Sequence, residues 1–158
     1  MEATVDAIVD VMGSAFDPAF GEAWNRQQVL DALLFPRTHG LLAVDGSVVD
    51  ARRSELTATT CAGFLLSRAA PGEEELLLLA VKPQHRRQGI ATRLMEHFKR
   101  AAEARGAEKI FLEMRVNNPA RDFYEAQGFV PVGTRPGYYR QKNGSMLDAI
   151  TFRCDMRK

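Results

Sequence analysis

One stretch of the sequence restricts the possible folds more than any other, because a strand, a basic loop and a long amphipathic helix follow one another directly. Residues 73–81 contain an apolar run typical of a strand that is buried on both faces. Residues 89–105 repeat apolar and charged positions with a helical period. The apolar face of that helix consists of Ile90, Leu94, Met95, Phe98, Ala101 and Ala102. A strand followed by a crossover helix predicts an α/β fold with a helix packed on a sheet.

Two further helices are predicted before this unit. Residues 4–13 carry an apolar stripe at helical spacing, with Thr4 as the expected N-cap. A second helix is expected to begin at Asn25, because Asn25 and Gln28 have the spacing of a capping box. Pro36 ends it, since proline cannot continue a helix.

The remaining elements are mostly strands. We predict strands over 41–44, 62–67, 109–116, 129–134 and 148–155, and a short helix over 120–127. The polar segment 47–59 has little strand character, and we expect a mobile loop there. No repeat or linker divides the 158 residues. The sequence therefore predicts a single α/β domain over residues 1–158.

Composition excludes several classes of protein. The chain is 46% hydrophobic and 26% charged with a net charge of +1, which is typical of a globular protein and not of a basic nucleic-acid binder. It has no apolar run of roughly 18 residues, and its first residues lack the pattern of a signal peptide. We therefore expect no nucleic-acid or membrane partner. Cys61 and Cys154 lie far apart, which suits burial in a reducing cytoplasm, and the histidines have no metal-binding spacing, so no metal is expected.

The loop between the strand and the long helix, KPQHRRQGIAT at residues 82–92, has the features of an anion site. The first amides of a helix have no internal partners, and the helix dipole favours negative charge there. Gly89 and the small Ala91 let backbone approach a diphosphate. The alternative is a helix that begins with a glycine beside two surface arginines, Arg86 and Arg87. The spacing does not fit the glycine patterns of dinucleotide or nucleotide-triphosphate loops.

Two motifs in order resemble the GNAT superfamily of N-acetyltransferases. RRQGIA at 86–91 is similar to that family's R/Q-x-x-G-x-G/A, and NNPARDFYEAQGF at 117–129 is similar to its N-x-x-A-x-x-x-Y-x-x-x-G-F. The resemblance covers residues 60–158 well and the first 60 loosely. It implies an α/β (α+β) domain whose mixed sheet of about six to seven strands is flanked by about four helices. It also implies acetyl-CoA as cosubstrate, without a metal.

The same resemblance implies a set of cofactor-binding residues. Leu79, Ala80 and Val81 would present backbone groups to the pantetheine arm and the acetyl carbonyl, with the Val81 amide polarising the thioester oxygen. The loop and helix residues implied at the pyrophosphate are Arg86, Arg87, Gln88, Gly89, Ile90, Ala91 and Thr92. An asparagine would also face the cofactor. The chain is one residue shorter than the family pattern between Glu113 and Tyr124, so this asparagine is either Asn117 or Asn118.

Acetyl transfer to an amine needs a proton acceptor and a proton donor, and two residues are candidates. Residue pattern alone favours a solvent-facing strand residue at Glu113, and it fits Tyr124 equally well as a core aromatic. A narrower resemblance bears on both. LEMRVNN, YEAQGF and the late YY…DAI are similar to the bacterial ribosomal-protein-alanine N-acetyltransferases, whose strand glutamate is the base and whose helix tyrosine is the acid. It implies that Glu113 is the base and Tyr124 the acid.

Three aromatic residues are candidates for the acceptor side. Trp24 either lines a peptide site or packs in the core, and of the adjacent Tyr138 and Tyr139 one is expected to point inward. In the resembled family the tyrosine pair covers the first residues of the substrate. The acidic run at 73–75 is expected to be a solvated strand entry, although it could also attract a basic peptide.

These features together predict the acceptor class. The expected reaction is acetylation of a protein N-terminal α-amine, by resemblance the alanine of a small-subunit ribosomal protein. An α-amine titrates at about 7.7–8.0, so a modest base suffices at neutral pH. The alternatives are an acetyltransferase of the same fold that modifies a small-molecule amine or lysine, and a non-catalytic acyl-CoA-binding domain. We expect a monomer or a weak dimer.

Overall fold

The computed structural model describes residues 1–52 and 61–156. The helices are α1 (Glu2–Ala15), α2 (Arg26–Leu34), α3 (Ile90–Ala104) and α4 (Arg121–Ala126). The strands are β1 (Thr38–Val44), β2 (Ser47–Asp50), β3 (Cys61–Ala70), β4 (Glu73–Val81), β5 (Lys109–Arg115), β6 (Val130–Arg140) and β7 (Met146–Asp155). Short 3₁₀ turns lie at Pro18–Phe20 and Pro83–His85. The predicted α/β domain, with a mixed sheet and flanking helices, is confirmed.

The seven strands form one sheet in the order β2-β1-β3-β4-β5-β7-β6. Among the strands that the structure describes, only β4 and β5 pair in parallel, because α3 carries the chain back to the end of the sheet at which β4 begins. Their pairing covers three residues of each strand, 73–75 against 109–111. Beyond that point the two strands separate. The sheet therefore contains a wedge-shaped gap that opens toward the carboxyl ends of β4 and β5.

Two hydrophobic layers cover the two faces of the sheet. On one face, the predicted apolar side of α3 packs over β1, β3 and β4, in a core layer that also contains residues of β5 and β7. On the other face, α1 and α2 bury residues such as Ile8 and Leu33 against β1, β3 and β4. Strand β4 contributes to both layers, as its continuous apolar run predicts. Both cysteines are buried free thiols, as expected. No helix in the described ranges is both long and apolar enough to cross a lipid bilayer.

The start of α2 is as predicted, whereas the start of α1 is not. The Gln28 amide donates to Asn25 Oδ1 and the Asn25 amide donates to Gln28 Oε1, both at 2.8 Å, which completes the capping box. Thr4 is wrong as the N-cap of α1, because the helix already begins at Glu2. The buried Thr4 hydroxyl instead donates to the Ala51 carbonyl at 3.3 Å and ties α1 to the sheet edge.

The expected loop over 47–59 is wrong in its first four residues. These form β2, which pairs antiparallel with β1. Asp45 and Gly46 both have positive φ, at 50° and 79°, which is the geometry of a two-residue hairpin turn. The turn chemistry therefore outweighs the polar composition of the strand that follows. Residues 53–59 of the expected loop lie outside the described part of the chain.

The acidic run at the start of β4 is only partly solvated. Glu73 and Glu75 are exposed, but Glu74 is 1% exposed. Its carboxylate accepts two hydrogen bonds from Arg105, at 2.6 and 2.8 Å, and a third from the Ser67 hydroxyl at 2.9 Å. The middle residue was misassigned because its partner lies at the far end of α3. The pair fastens α3 to the closed end of the gap.

Candidate active site

The gap between β4 and β5 opens into a groove of about 1220 Å³. Its walls come from residues 76–81 of β4, residues 112–115 of β5 and the connection between α1 and α2. Seven aromatic residues line it: Phe16, Phe20, Trp24, Phe123, Tyr124, Tyr138 and Tyr139. The predicted acceptor residues Trp24, Tyr138 and Tyr139 are therefore brought to one cavity with Glu113 and Tyr124.

The edge of β4 that faces the gap carries backbone groups pointing away from β3. The Lys82 amide donates to the Ala62 carbonyl at 2.8 Å, so it points toward β3. Successive residues of a strand point their amides to opposite edges. The amides of Val81 and Leu79 therefore point toward the gap, whereas the Ala80 amide points toward β3. Two of the three predicted strand residues offer backbone donors to the groove.

The start of α3 forms a second, smaller cavity of about 210 Å³ that adjoins the groove. Gly89 and Arg87 both have positive φ, at 76° and 63°, so the loop turns sharply into the helix. In the first backbone hydrogen bond of the helix, the Arg93 amide donates to the Gly89 carbonyl. No side chain caps the start of the helix. Its lining residues are Val81, His85, Arg86, Arg87, Gly89, Ile90, Ala91, Thr92 and Phe123. Uncapped amides at a helix start fit a diphosphate.

Two basic residues near this loop hold it in place. Arg86 donates from Nε to the Val81 carbonyl at 3.3 Å and from Nη2 to the Ala15 carbonyl at 3.1 Å. Lys82, which sequence reasoning missed, is 7% exposed and lies 2.6 Å from Asp10 on α1. The end of β4 is thus tied to α1 by two contacts. Arg87 and Gln88 are exposed, and Gln88 does not line either cavity.

Glu113 lines the groove and has two partners. Its Oε2 lies 2.9 Å from Arg135 Nε, and it accepts a hydrogen bond from the Thr151 hydroxyl at 3.3 Å. The side chain is 19% exposed, so it does not face bulk solvent in the way a polar strand position usually does. Thr151 comes from the adjacent strand β7, and Arg135 comes from β6, the next strand beyond it. The sheet itself therefore orients the carboxylate in the groove.

Tyr124 and Tyr139 are the two shielded tyrosines of the groove. The Tyr124 ring is 8% exposed and meets Phe123 and Phe129 edge to face. Burial, followed by the Glu22 carboxylate, raises the pKa of Tyr124 well above its ordinary value. Burial and the carboxylates of Glu22 and Glu113 raise the pKa of Tyr139 to about 12. Both hydroxyls are therefore protonated at neutral pH.

The adjacent tyrosines of β6 differ in exposure. Tyr139 is half-buried, whereas Tyr138 is 52% exposed. Their rings meet edge to face with centroids 5.3 Å apart. Trp24 is half-buried beside α1, where its backbone N–H lies 3.4 Å from Met12 Sδ. All three side chains line the groove.

The two asparagines after β5 have different partners. Asn117 Oδ1 accepts from Arg115 Nη1 at 2.8 Å. Asn118 Oδ1 accepts from the Ala120 amide at 2.8 Å, immediately before α4. Both residues line the groove, but the Asn118 side chain is engaged by the turn that starts α4.

Sequence reasoning missed the group around Arg115. Arg115 Nε lies 3.3 Å from Glu22 Oε1, and its guanidinium carbon lies 3.6 Å from the centre of the Phe20 ring. All three residues line the groove. A pair separated by 93 residues leaves no local signal in one sequence. Among the described residues, no cluster of three or more histidine, cysteine, aspartate or glutamate side chains could hold a metal ion.

The chain resembles known proteins in sequence and in fold. It is 34% identical over 84 residues to the [ribosomal protein bS18]-alanine N-acetyltransferase of Escherichia coli K12, covering 52% of this chain and 57% of that protein. The chain thus matches little more than half the length of this relative. It is 41% identical over 73 residues to an N-alpha-acetyltransferase of Saccharolobus solfataricus, covering 45% of this chain and 44% of that one.

Solved structures share the whole fold. The ribosomal-protein-S18-alanine N-acetyltransferase from Escherichia coli superposes with a TM-score of 0.78 at 24% identity, covering 98% of this chain and 88% of that one. An aminoglycoside 6'-N-acetyltransferase complexed with coenzyme A gives a TM-score of 0.71 at 17% identity, covering 98% and 91%. The sequence model of the acetyltransferase (GNAT) family matches residues 9–129, a range that begins in the middle of α1 and includes β4, the loop, α3, β5 and α4. The chain therefore belongs to the acetyltransferase (GNAT) family.

Proposed function

We propose that this chain is an acetyl-CoA-dependent N-acetyltransferase that modifies the N-terminal α-amine of a protein. The observation that carries the proposal is the gap between β4 and β5. It joins an anion site at the start of α3 to a groove that holds a carboxylate and a buried tyrosine. Family membership and the names of the sequence relatives support the same reaction class.

The loop and the open strand edge are the proposed binding surface for acetyl-CoA, which supplies the acetyl group as an activated thioester. We assign the pyrophosphate to the amides of residues 87–92, because the helix start is uncapped and Gly89 has no Cβ to block approach. Leu79 and Val81 offer amides to the pantetheine arm along the gap, with Ala80 between them. Asn117 and Asn118 are both retained as candidates for the cofactor-facing asparagine, because both line the groove and each Oδ1 already accepts one hydrogen bond at 2.8 Å.

Two side chains are the proposed proton carriers. Glu113 accepts a proton from the acceptor amine, directly or through water, and Thr151 and Arg135 hold its carboxylate in place. The hydroxyl of Tyr124 is the proton source for the leaving group. Its raised pKa keeps this hydroxyl protonated at the pH where an α-amine is partly neutral.

The acceptor is proposed to be a chain terminus, and specifically the alanine of a small-subunit ribosomal protein. The aromatic walls contributed by Trp24, Tyr138 and Tyr139 give the groove room and apolar surface for the first residues of a peptide. The names of the relatives specify an alanine and an α-amine. Such an acceptor places the reaction in the cytoplasm.

A free-thiol assay with acetyl-CoA and a panel of amines tests the proposal. One peptide begins with a free alanine, a second has the same sequence with a blocked N-terminus and an internal lysine, and a third acceptor is an aminoglycoside. We expect thiol release with the first peptide alone. Release with the lysine peptide or the aminoglycoside would favour the other acceptor classes. Binding of acetyl-CoA without thiol release from any acceptor would indicate a non-catalytic binding domain.

A further inference from the structure

A shielded ion pair that plays no part in the proposed proton transfers lies in the acceptor side of the groove. The side chains of Arg115 and Glu22 are only 8% and 18% exposed, and Arg115 Nε lies 3.3 Å from Glu22 Oε1. Arg115 ends β5, two residues after the proposed base. Glu22 belongs to the connection between α1 and α2. The pair therefore links the central strand to a segment that is distant in sequence.

The Arg115 guanidinium makes contacts with three residues. Besides Glu22, it donates from Nη1 to Asn117 Oδ1 at 2.8 Å. The guanidinium carbon lies 3.6 Å from the centre of the Phe20 ring, within the range of a cation–π contact. A planar, permanently charged group suits such simultaneous contacts better than a lysine ammonium. Arg115 thus joins the turn after β5 to two residues of the α1–α2 connection.

Residues 17–22, which we call the acceptor segment, have little else to hold them. The segment contains no buried residue, and only Phe20 and Glu22 are half-buried. Its 3₁₀ turn is closed by local bonds from the amides of Phe20 and Gly21. From elsewhere in the described part of the chain, one backbone hydrogen bond reaches the segment, from the Lys142 amide to the Ala19 carbonyl at 3.2 Å. Without a hydrophobic anchor, its position depends on these polar contacts.

The position of the acceptor segment matters to the groove. Phe20 and Glu22 line the cavity together with the two shielded tyrosines. The Glu22 carboxylate contributes, after burial, to the raised pKa of both Tyr124 and Tyr139, so its charge lies close to both rings. A displaced segment would therefore change the wall on the side where an acceptor enters, while leaving the loop at the start of α3 untouched.

We propose that Arg115 is a positioning residue that holds the acceptor segment against the groove through Glu22 and Phe20, and thereby sets the affinity for the acceptor chain. The inference rests on the proposed function for the identity of the acceptor. The placement of the acceptor segment by Arg115 does not depend on the proposed function. The two parts are separable by experiment.

Hydrogen exchange tests the placement without any substrate. We expect Glu22→Gln and Arg115→Gln to speed exchange at the amides of Phe20 and Gly21 by roughly tenfold, with α3 unchanged, since a lost contact of this kind shifts local opening by about one decade. Glu125→Gln is the control, because it removes the same charge from an arginine pair on α4 that lines neither cavity. It should leave exchange in the acceptor segment unchanged.

Steady-state kinetics test the consequence. The KM for an alanine-terminated peptide should rise roughly tenfold in Glu22→Gln and at least as much in Arg115→Gln. The double variant should be no worse than Arg115→Gln, because the loss of Arg115 already removes the ion pair with Glu22. The Kd for acetyl-CoA should stay within about twofold. Unchanged exchange in Glu22→Gln would overturn the proposal, and so would an equal loss of affinity for peptide and acetyl-CoA. If the wild-type protein acetylated no peptide, the proposed function would be contradicted. The hydrogen-exchange rates of the variants would still decide the role of Arg115.

Glu22→Gln keeps the test decisive even if Arg115→Gln does not fold. Glu22 lies on a segment without buried residues, so its substitution leaves the core intact. Phe20→Leu provides a further measurement, because it removes the cation–π contact and keeps the ion pair. Hydrogen exchange at the Gly21 amide should be faster in Phe20→Leu than in the wild type.

Discussion

The Glu113 carboxylate is held 2.9 Å from the Arg135 guanidinium, across the strand that separates β5 from β6. Thr151, on that intervening strand, donates to the same carboxylate oxygen, Oε2. These two contacts engage Oε2 and leave Oε1 for the groove. The proposed base is therefore oriented before any substrate binds, which is how a general base is placed for proton transfer.

Glu113→Gln should lower kcat by about 10²–10⁴-fold near neutral pH, because the amide cannot accept the proton of the amine. The Kd for acetyl-CoA, measured by calorimetry, should be nearly unchanged, since Glu113 lies outside the loop at the start of α3. Glu103→Gln removes one carboxylate from an exposed position of α3 and serves as the control. Equal turnover in Glu113→Gln and wild type would rule out the general-base assignment.

Gly89→Trp should abolish measurable binding of acetyl-CoA. A side chain at this position would occupy the approach to the first amides of α3, and the backbone there has φ +76°. Gly106→Trp is the matched control, since Gly106 lies just beyond the other end of the same helix with φ +96° and open space around it. Both variants strain a left-handed residue, but only the first should lose the ligand. Titration of acetyl-CoA into the two variants separates the effects, and equal affinities would mean that the anion site is misplaced.

Tyr124→Phe should lower kcat with little effect on the KM for acetyl-CoA, because it removes the proposed proton donor and keeps the ring packing. In the wild type, the donor is the protonated hydroxyl, and a raised pKa extends its range to higher pH. The kcat of the wild type should therefore show no loss from tyrosine ionisation up to about pH 10, the ordinary pKa of tyrosine. A descending limb that lies below pH 10 and is absent in Tyr124→Phe would show that Tyr124 ionises in its ordinary range.

Glu74→Ala should cost about 3–5 kcal/mol in the free energy of unfolding, because it leaves the Arg105 charge without its partner in a shielded site. Asp6→Ala provides the contrast. Asp6 pairs with Arg26 at 3.1 Å, but both side chains are largely exposed, so its loss should cost about 0–1 kcal/mol. Urea unfolding of the two variants measures both values. Similar costs would mean that the Glu74 pair is no more than a surface contact.

Local patterns allowed much of the fold to be predicted. The limits of β4 and the capping box of α2 follow from neighbouring residues, and the structure confirms both. Predictions that depend on distant partners were less successful. Glu74 is shielded because Arg105 reaches it from the end of α3, 31 residues further along the chain. Such contacts leave no periodic signal.

The candidate site shows the same division. Helix-start chemistry pointed to the loop around Gly89, and the family resemblance pointed to Glu113. These residues line two adjoining cavities. The Arg135 partner of Glu113 could not be predicted, because it arises from the register of two antiparallel pairings at the sheet edge. Glu22 lies in a connection without helical or strand periodicity, which is where single-sequence reasoning is weakest.

The short pairing between β4 and β5 also has a mechanical consequence. The last paired residue of β4 is Glu75, so the strand runs six residues further to Val81, or about 20 Å at the usual rise of a strand. Over about 20 Å, a rotation of about 5° between the two halves of the sheet moves the open end by nearly 2 Å. A misplacement of reacting groups by about 1 Å can lower a reaction rate about 10²-fold. The ion pair between Glu74 and Arg105 holds α3 at the closed end of the gap. It therefore influences the distance between β4 and β5 at the open end. Substitutions there are expected to change catalysis without touching any substrate.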